Sequence, residues 1–145
     1  MNLANPSTNT TDDEIKKILS TCKTVAVVGL SARPERASFA IASFLKVKGF
    51  RVVPVNPGLD AVLGEKCYPA LSAIPFPVDI VDVFRKSEAV PEIAAEAVKI
   101  GAKVLWLQLG VINIEAVEKY GDDITIIMDR CIKVEYSRLF GAGGV

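Results

Sequence analysis

Five short apolar runs recur along the chain, and their spacing suggests a repeating unit. Their midpoints lie about 20 to 28 residues apart, which is the length of one strand, one helix and the turns between them. The runs are rich in valine and isoleucine, as is typical of strands buried on both faces of a parallel sheet. The runs are TVAVVG at 24–29, RVVPVN at 51–56, VDIVDVF at 78–84, AKVLWLQ at 102–108 and DITIIMD at 123–129.

The segments between the runs have helical spacing of their apolar residues. Thr11 and Asn113 are placed to cap two of these helices, and Pro91 suits the first turn of another. The predicted helices cover residues 12 to about 19, 38–48, 87–99 and 114–120. The long loop at 58–77 has room for one more short helix, around residues 70–74.

This alternation of strands and helices predicts a doubly wound α/β fold, with helices on both faces of the sheet. We expect a single Rossmann-like domain with a five-stranded parallel sheet in the order 3-2-1-4-5. The domain should span residues 12–140, between a flexible leader at 1–11 and a loose tail at 141–145.

Charge and composition exclude several classes of function. The 145 residues include 17 Lys and Arg, 17 Asp and Glu, and no His. The balance offers no basic face for nucleic acid and no polybasic segment for a membrane surface. The absence of histidine excludes imidazole bases, phosphohistidine and histidine-ligated metals, and the cysteines form no zinc motif.

The remaining composition predicts a cytosolic protein. No apolar run approaches the roughly 18 residues of a membrane-spanning helix. The polar, acidic start of the chain does not resemble a signal peptide. Three scattered cysteines, Cys22, Cys67 and Cys131, fit a reduced chain better than a disulfide framework.

Candidate binding residues follow the strands, because ligands of open parallel sheets bind at the carboxyl ends of the strands. The turn after the first strand is the strongest candidate. Gly29 permits a tight exit from the strand, and Ser38 is placed to cap the next helix. Arg33 and Arg36 are within reach of a pyrophosphate. The alternative is that Gly29 only turns the chain and that the arginines are solvated.

The turn does not match the fingerprint of a nicotinamide-dinucleotide site. That fingerprint has three glycines, whereas Gly29 is followed by Leu30 and Ser31 with no further glycine. Such sites also place an acid at the end of the second strand, where this chain has Asn56 followed by Pro57. NAD and NADP are therefore disfavoured as ligands.

Several segments, taken together and in order, resemble the single-domain CoA-binding proteins, which are relatives of the CoA-binding domain of succinyl-CoA synthetase alpha subunits. The resemblance covers about residues 24–140. It is carried by VAVVGLS, by Arg36-Ala37-Ser38, and by VVPVNP, VLGEKCYPALSAIP, VDIVDVFRK, WLQLGV and MDRCIKVEYSRL.

The resemblance implies a Rossmann-type fold that holds coenzyme A in the crevice at the strand ends. The resemblance implies that the turn after the first strand holds the pyrophosphate and that the end of the second strand borders the adenosine. It also implies that the end of the third strand lines the path between adenine and pantetheine, and that the end of the fourth lies near the pantetheine arm. The implied pyrophosphate residues are Gly29, Ser31, Arg36 and Ser38, with Leu30, Arg33 and Ala37 in the same turn. Asn56 and Pro57 fall near the adenosine, Val83, Phe84 and Arg85 along the path, and Gln108, Gly110 and Val111 near the pantetheine.

We therefore expect a non-catalytic, cytosolic protein that binds CoA or an acyl-CoA. The synthetase uses a phosphorylated histidine, and this chain has none; Tyr136 stands where many relatives have histidine. Two alternatives stay open: a small enzyme that uses NAD(P) or an acyl-CoA, and an interaction subunit with a vestigial pocket. A protein partner or self-association is also open, and Cys131 is a candidate for thiol exchange with the ligand.

Overall fold

The computed structural model describes residues 10–141. Residues 1–9 and 142–145, which hold most of the predicted leader and tail, lie outside this range. The first element of the described residues is α1 (Asp12–Thr21), whose N-cap is the predicted Thr11. The Thr11 hydroxyl accepts a hydrogen bond from the Glu14 N–H at 3.2 Å, and the Glu14 carboxylate accepts one from the Thr11 N–H at 3.4 Å. This reciprocal pair is a capping box, and it fixes the start of the helix.

Strands and helices then alternate as predicted, with small additions. The elements after α1 are β1 (Thr24–Val28), α2 (Ala37–Val47), β2 (Arg51–Val55), β3 (Ala61–Val62), β4 (Glu65–Lys66), β5 (Ile80–Val83), α3 (Val90–Lys99), β6 (Val104–Leu107), α4 (Ile114–Tyr120), β7 (Thr125–Ile127) and α5 (Ile132–Phe140). Short 3-10 helices cover Leu71–Ala73, in the long loop as expected, and Ser87–Ala89, ahead of α3. The helix α5 was not among the predicted helices.

The five long strands form one parallel sheet, which confirms the doubly wound, Rossmann-like α/β prediction. The order is β2-β1-β5-β6-β7, and β3 and β4 form a separate antiparallel hairpin. One face of the sheet packs against α1, α2 and α5, and the other packs against α3 and α4. Within residues 10–141, no helix is long and apolar enough to cross a membrane.

The predicted strand order 3-2-1-4-5 is wrong, since the five long strands lie in the order 2-1-3-4-5. Pro54 supplies a physical reason. The Arg51 N–H bonds to the Lys23 carbonyl beside β1, so the backbone groups of Pro54 point to the opposite side, where its carbonyl accepts from the Tyr68 N–H. Because proline has no N–H, a ladder on that side would lack a hydrogen bond. Strand β2 is therefore suited to the sheet edge, and β5, with all four residues buried, lies beside β1.

Candidate functional site

The true strand order brings the turn after β1 against the end of β5. Gly29 leaves β1 with φ of +86°, a conformation that favours glycine. A Cβ built on Gly29 would lie 2.5 Å from the Phe84 carbonyl oxygen and 3.0 Å from the Arg85 Cδ. This glycine thus serves two local needs, the positive φ and the close approach of the β5 end.

Two serines hold the shape of the turn between β1 and α2. The Ser38 hydroxyl accepts a hydrogen bond from the Ser31 N–H at 3.0 Å, and the Ser31 hydroxyl accepts one from the Arg33 N–H at 3.0 Å. The prediction that Ser38 caps α2 is wrong, because Arg36 occupies the N-cap position and Ser38 lies buried in the first turn. The Ser38 side chain instead ties the turn to the helix.

Asn56 links the turn after β1 to the turn after β2. Its Nδ2 donates to the Leu30 carbonyl at 3.1 Å, and its Oδ1 accepts from the Gly58 N–H at 2.9 Å. A single amide thus fixes the separation of two neighbouring strand ends. This role explains why an asparagine, with one donor and one acceptor group, stands where an acid is expected in nicotinamide-dinucleotide sites.

Two cavities adjoin along the carboxyl edge of the sheet, and Arg85 lines both. The first has a volume of about 760 Å³ and lies between the turns after β1 and β2 and the face of α3. Its lining residues include Val28, Gly29, Asn56, Pro57, Pro69, Ala70, Ser72, Arg85, Glu92, Glu96 and Lys99. The lining of this cavity is mixed, because apolar residues such as Val55, Ile93 and Ala95 lie beside these polar and charged groups.

The second cavity, of about 600 Å³, continues from Arg85 toward the ends of β6 and β7. Its lining is mainly apolar and consists of Ala37, Ile41, Phe84, Arg85, Lys86, Gln108, Leu109, Val111 and Cys131. Each cavity falls within the size range of small-molecule sites in proteins. A smaller cavity of about 260 Å³ lies near the starts of β1 and β2, at the opposite end of the sheet.

Most residues predicted for the site lie at the crevice formed by the first and second cavities. Some line a cavity, and others are buried behind it or shape the turn beside it. Gly29, Ala37, Asn56, Pro57, Phe84, Arg85, Gln108 and Val111 line one cavity or both. Leu30 and Val83 are fully buried behind the crevice, and Ser31 and Ser38 shape the turn. Arg33 is exposed and pairs with Glu35 at 2.8 Å, while Arg36 is exposed at the start of α2.

Gly110 helps to join the loops that follow β6 and β7. Its N–H donates to the Asp129 Oδ1 at 2.7 Å, and its own φ is +82°. Asp129 also has a positive φ, of +58°, which is uncommon for a residue with a side chain. The hydrogen bond gives a local reason for this conformation and holds the two loops together.

A buried polar pair lies next to the second cavity. Asp82, in the middle of the sheet, is fully buried, and its Oδ1 accepts a hydrogen bond from the Gln108 Nε2. The Gln108 Oε1 accepts from the Ile132 N–H at 3.4 Å, at the start of α5. Burial raises the pKa of the Asp82 carboxyl to about 7, although the hydrogen bond from Gln108 acts to lower it.

Cys131 lines the second cavity and occupies the N-cap position of α5. It is partly buried, in contrast to the buried Cys22 and Cys67. Burial raises the pKa of both buried thiols, so they are poor nucleophiles. Cys131 is therefore the cysteine that lies where a bound molecule would meet it.

Most of the residues of the first cavity that were not predicted come from α3 and from the long loop. Glu92, Glu96 and Lys99 share one face of α3 and line the first cavity. Their helical spacing is visible in the sequence, but an exposed polar face is the ordinary property of a surface helix. Only the packing of the loop at Ser72, whose N–H donates to Glu96 at 3.4 Å, shows that this face borders a cavity.

The model of a protein family described as a CoA binding domain matches residues 23–137, from just before β1 to within α5. This chain belongs to the CoA-binding domain family. The resemblance predicted from the sequence is thus confirmed, and the family domain includes every strand and both cavities.

Members of similar length share most of this chain. The uncharacterized protein YneT of Bacillus subtilis is 43% identical over 130 residues, which cover 89% of this chain and 96% of YneT. The solved structure of a hypothetical protein from Pyrococcus horikoshii OT3 has a TM-score of 0.88 and 40% identity, covering 91% of this chain and 94% of that one.

Larger ligases contain a homologous domain. An ADP-forming acetate–CoA ligase II of Archaeoglobus fulgidus is 40% identical over 83 residues, which are 56% of this chain and 12% of the ligase. A solved dinucleotide-forming acetyl-coenzyme A synthetase from Ca. Korarchaeum cryptofilum has a TM-score of 0.58 at 25% identity, over 85% of this chain and 24% of the synthetase. The CoA-binding domain family thus extends to proteins in which this fold is a small part.

Proposed function

We propose that this chain is a non-catalytic protein of the cytosol that binds coenzyme A, free or acylated, along the carboxyl edge of its sheet. The observation that carries the proposal is the pair of cavities that adjoin at Arg85: the first has a mixed lining with four charged side chains, and the second is largely apolar. Coenzyme A has the same two-part chemistry, with a phosphorylated nucleotide at one end and a long pantetheine arm at the other.

The two parts of the ligand match the two cavities in a definite direction. The nucleotide would lie in the first cavity, beside Gly29, Asn56 and Pro57. The exposed Arg36 at the start of α2 and Arg85 between the cavities would bind phosphates. The pantetheine arm would lie in the second cavity against Phe84, with its thiol toward Cys131.

Membership of the CoA-binding domain family supports coenzyme A as the proposed ligand. The absence of histidine supports the proposal that the protein is non-catalytic. The ligases match this chain over only a small fraction of their own length, so their activity is not carried over. The three free cysteines are consistent with a reducing compartment such as the cytosol.

Titration calorimetry with CoA, dephospho-CoA, NAD and NADP tests the proposal. We expect binding of CoA that weakens when its 3′-phosphate is removed, since that phosphate adds charge for the cationic groups to bind. A preference for NAD or NADP would favour a small redox enzyme instead. The absence of binding to all four ligands would favour an interaction subunit with a vestigial pocket.

Arg85 offers a more local test, because it is shared by both cavities. Arg85→Ala should weaken CoA binding about 10- to 100-fold through the loss of a charge-assisted hydrogen bond. Arg85→Lys should recover only part of this loss, because an ammonium lacks the planar fork of a guanidinium. Unchanged affinity in a folded Arg85→Ala protein would contradict the proposed path of the ligand.

A further inference from the structure

Asp82 is an unusual residue for its position. It lies in the central strand β5, in the sequence IVDV, and its side chain is fully buried. Its Oδ1 is bonded to Gln108, but among residues 10–141 its Oδ2 has no hydrogen-bond partner. A buried carboxyl with one oxygen unsatisfied costs free energy, and an apolar residue of similar size would avoid that cost. The fold alone therefore gives no reason for an aspartate here.

Gln108 connects this buried carboxyl to the second cavity. Gln108 is itself almost fully buried and is one of the residues that line the cavity. Its Nε2 donates one proton to Asp82, and its Oε1 accepts from the Ile132 N–H. A primary amide has two donor protons and two acceptor lone pairs, so one of each is left for a bound molecule.

We propose that Asp82 is a positioning residue, which fixes the orientation of the Gln108 amide so that this amide recognises the pantetheine arm of the ligand. The inference rests on the proposed function, because it assigns a role within the same site.

The reason lies in the symmetry of the glutamine side chain. Rotation of its amide by half a turn exchanges the donor and the acceptor, with little change in shape. The ionised carboxylate of Asp82 only accepts hydrogen bonds, so above its pKa it favours the orientation with Nε2 toward itself. The Ile132 N–H, which donates to Oε1, favours the same orientation. The remaining donor and acceptor of Gln108 are then presented in one fixed arrangement. The pantetheine arm has two amide groups, each of which needs an acceptor for its N–H and a donor for its carbonyl.

Two substitutions separate orientation from simple packing. Asp82→Leu keeps the branched shape of the side chain, with a larger volume, but removes the acceptor, whereas Asp82→Asn keeps both the volume and an oxygen that can still accept from Gln108. The ligands are CoA and 3′-phosphoadenosine 5′-diphosphate, which has the nucleotide end of CoA without the pantetheine arm. We expect Asp82→Leu to lower the affinity for CoA about tenfold and to leave the affinity for the truncated nucleotide unchanged. A tenfold loss corresponds to about one hydrogen bond. Asp82→Asn should retain affinity within about threefold.

Two controls show whether the effect passes through Gln108. The double variant Asp82→Leu with Gln108→Leu should bind CoA no more weakly than Gln108→Leu alone. Val81→Ala, on the same strand but in the core of the opposite face, should lower stability without changing the ratio of the two affinities. The inference is overturned if Asp82→Leu lowers the affinity for both ligands equally, or if it leaves the affinity for CoA unchanged.

A measurement without ligand covers the case in which Asp82→Leu does not fold. In the wild type, one Nε2 proton of Gln108 should have a nuclear magnetic resonance shift that follows the titration of Asp82, and in Asp82→Asn this pH dependence should be absent. A Gln108 signal that is the same in both proteins at every pH would overturn the inference. A wild type that binds neither CoA nor the truncated nucleotide would instead overturn the proposed function, and the ligand role of Asp82 with it.

Discussion

Gly29 lies directly against the backbone of Phe84: a Cβ at Gly29 would be 2.5 Å from the Phe84 carbonyl oxygen. These residues directly follow two neighbouring strands of the sheet, β1 and β5. The close approach brings the first turn and Arg85 to the same crevice. The shape of the proposed site therefore depends on the absence of a side chain at one position.

Gly29→Ala should destabilise the protein by about 2 to 4 kcal/mol, because it adds a backbone clash to the strain of a positive φ. Gly49→Ala is the matched control, since Gly49 has φ of +94° and nothing within 4 Å of the added Cβ. Gly49→Ala should lower the free energy of unfolding by only about 1 kcal/mol, because it adds the strain of a positive φ without a clash. Urea denaturation measures both values, and equal losses would mean that the Phe84 contact relaxes without cost.

Asn56→Asp should separate the two functions of the Asn56 amide. The substitution keeps an acceptor for the Gly58 N–H but places a carboxylate oxygen against the Leu30 carbonyl. We expect a loss of about 2 kcal/mol in the free energy of unfolding, with weaker CoA binding, as the turn shifts.

Asn113 provides the control for Asn56, because its amide makes the same kind of pair. Its Oδ1 accepts from the Ala116 N–H at 2.9 Å, and its Nδ2 donates to the Ser87 carbonyl at 3.0 Å. Asn113→Asp should cost comparable stability in the same denaturation experiment. CoA affinity should be lowered by the Asn56 variant only; a parallel decrease in both proteins would assign the effect to general destabilisation.

Arg36→Ala should weaken CoA binding by about 1.5 to 3 kcal/mol, the range for a charge-assisted hydrogen bond to phosphate. Arg36 is exposed at the N-terminal end of α2, beside the first turn. Lys103→Ala is the control, because Lys103 is an exposed cation that pairs with Asp79, at the opposite end of the sheet. Titration calorimetry at two salt concentrations measures the CoA affinity of both variants. An Arg36→Ala protein that is folded and binds like the wild type would remove Arg36 from the site.

The pH dependence of stability should report the burial of Asp82. Its pKa is about 7 in the folded protein, above the ordinary value of 3.8 for an aspartate. Between these values the folded state binds one more proton than the unfolded state. The contribution of Asp82 to stability is therefore full below about pH 4, falls by about 1.4 kcal/mol per pH unit as the pH rises, and levels off above about pH 7.

Asp82→Asn should remove this slope, because its amide does not titrate in that range. The measurement is urea denaturation of both proteins from pH 4.5 to 8. Asp79 titrates differently: burial opposes its ionisation, but hydrogen bonds from the Lys23 and Thr24 N–H groups leave its pKa below the ordinary value. Its effect on stability thus appears at lower pH. Parallel profiles of the wild type and Asp82→Asn would show that Asp82 is ionised throughout.

The sequence by itself determined the class of fold and the region of the site. Apolar runs such as TVAVV and IVDV are local patterns, and so are the caps at Thr11 and Asn113, because each depends on residues within a few positions. The glycine after the first strand marked the turn, and family resemblance supplied the ligand to be proposed.

Only the tertiary structure decided which strand ends are neighbours and which side chains meet. Pro54 is better placed at the sheet edge, so β2 rather than β5 is the edge strand and β5 lies at the centre beside β1; this was visible only once the direction of the Pro54 backbone was known. Asp82 and Gln108 are 26 positions apart, and the Ser38 hydroxyl bonds to Ser31 rather than capping its own helix. Such contacts depend on how whole elements pack, and the periodicity of a single element carries no information about its neighbours.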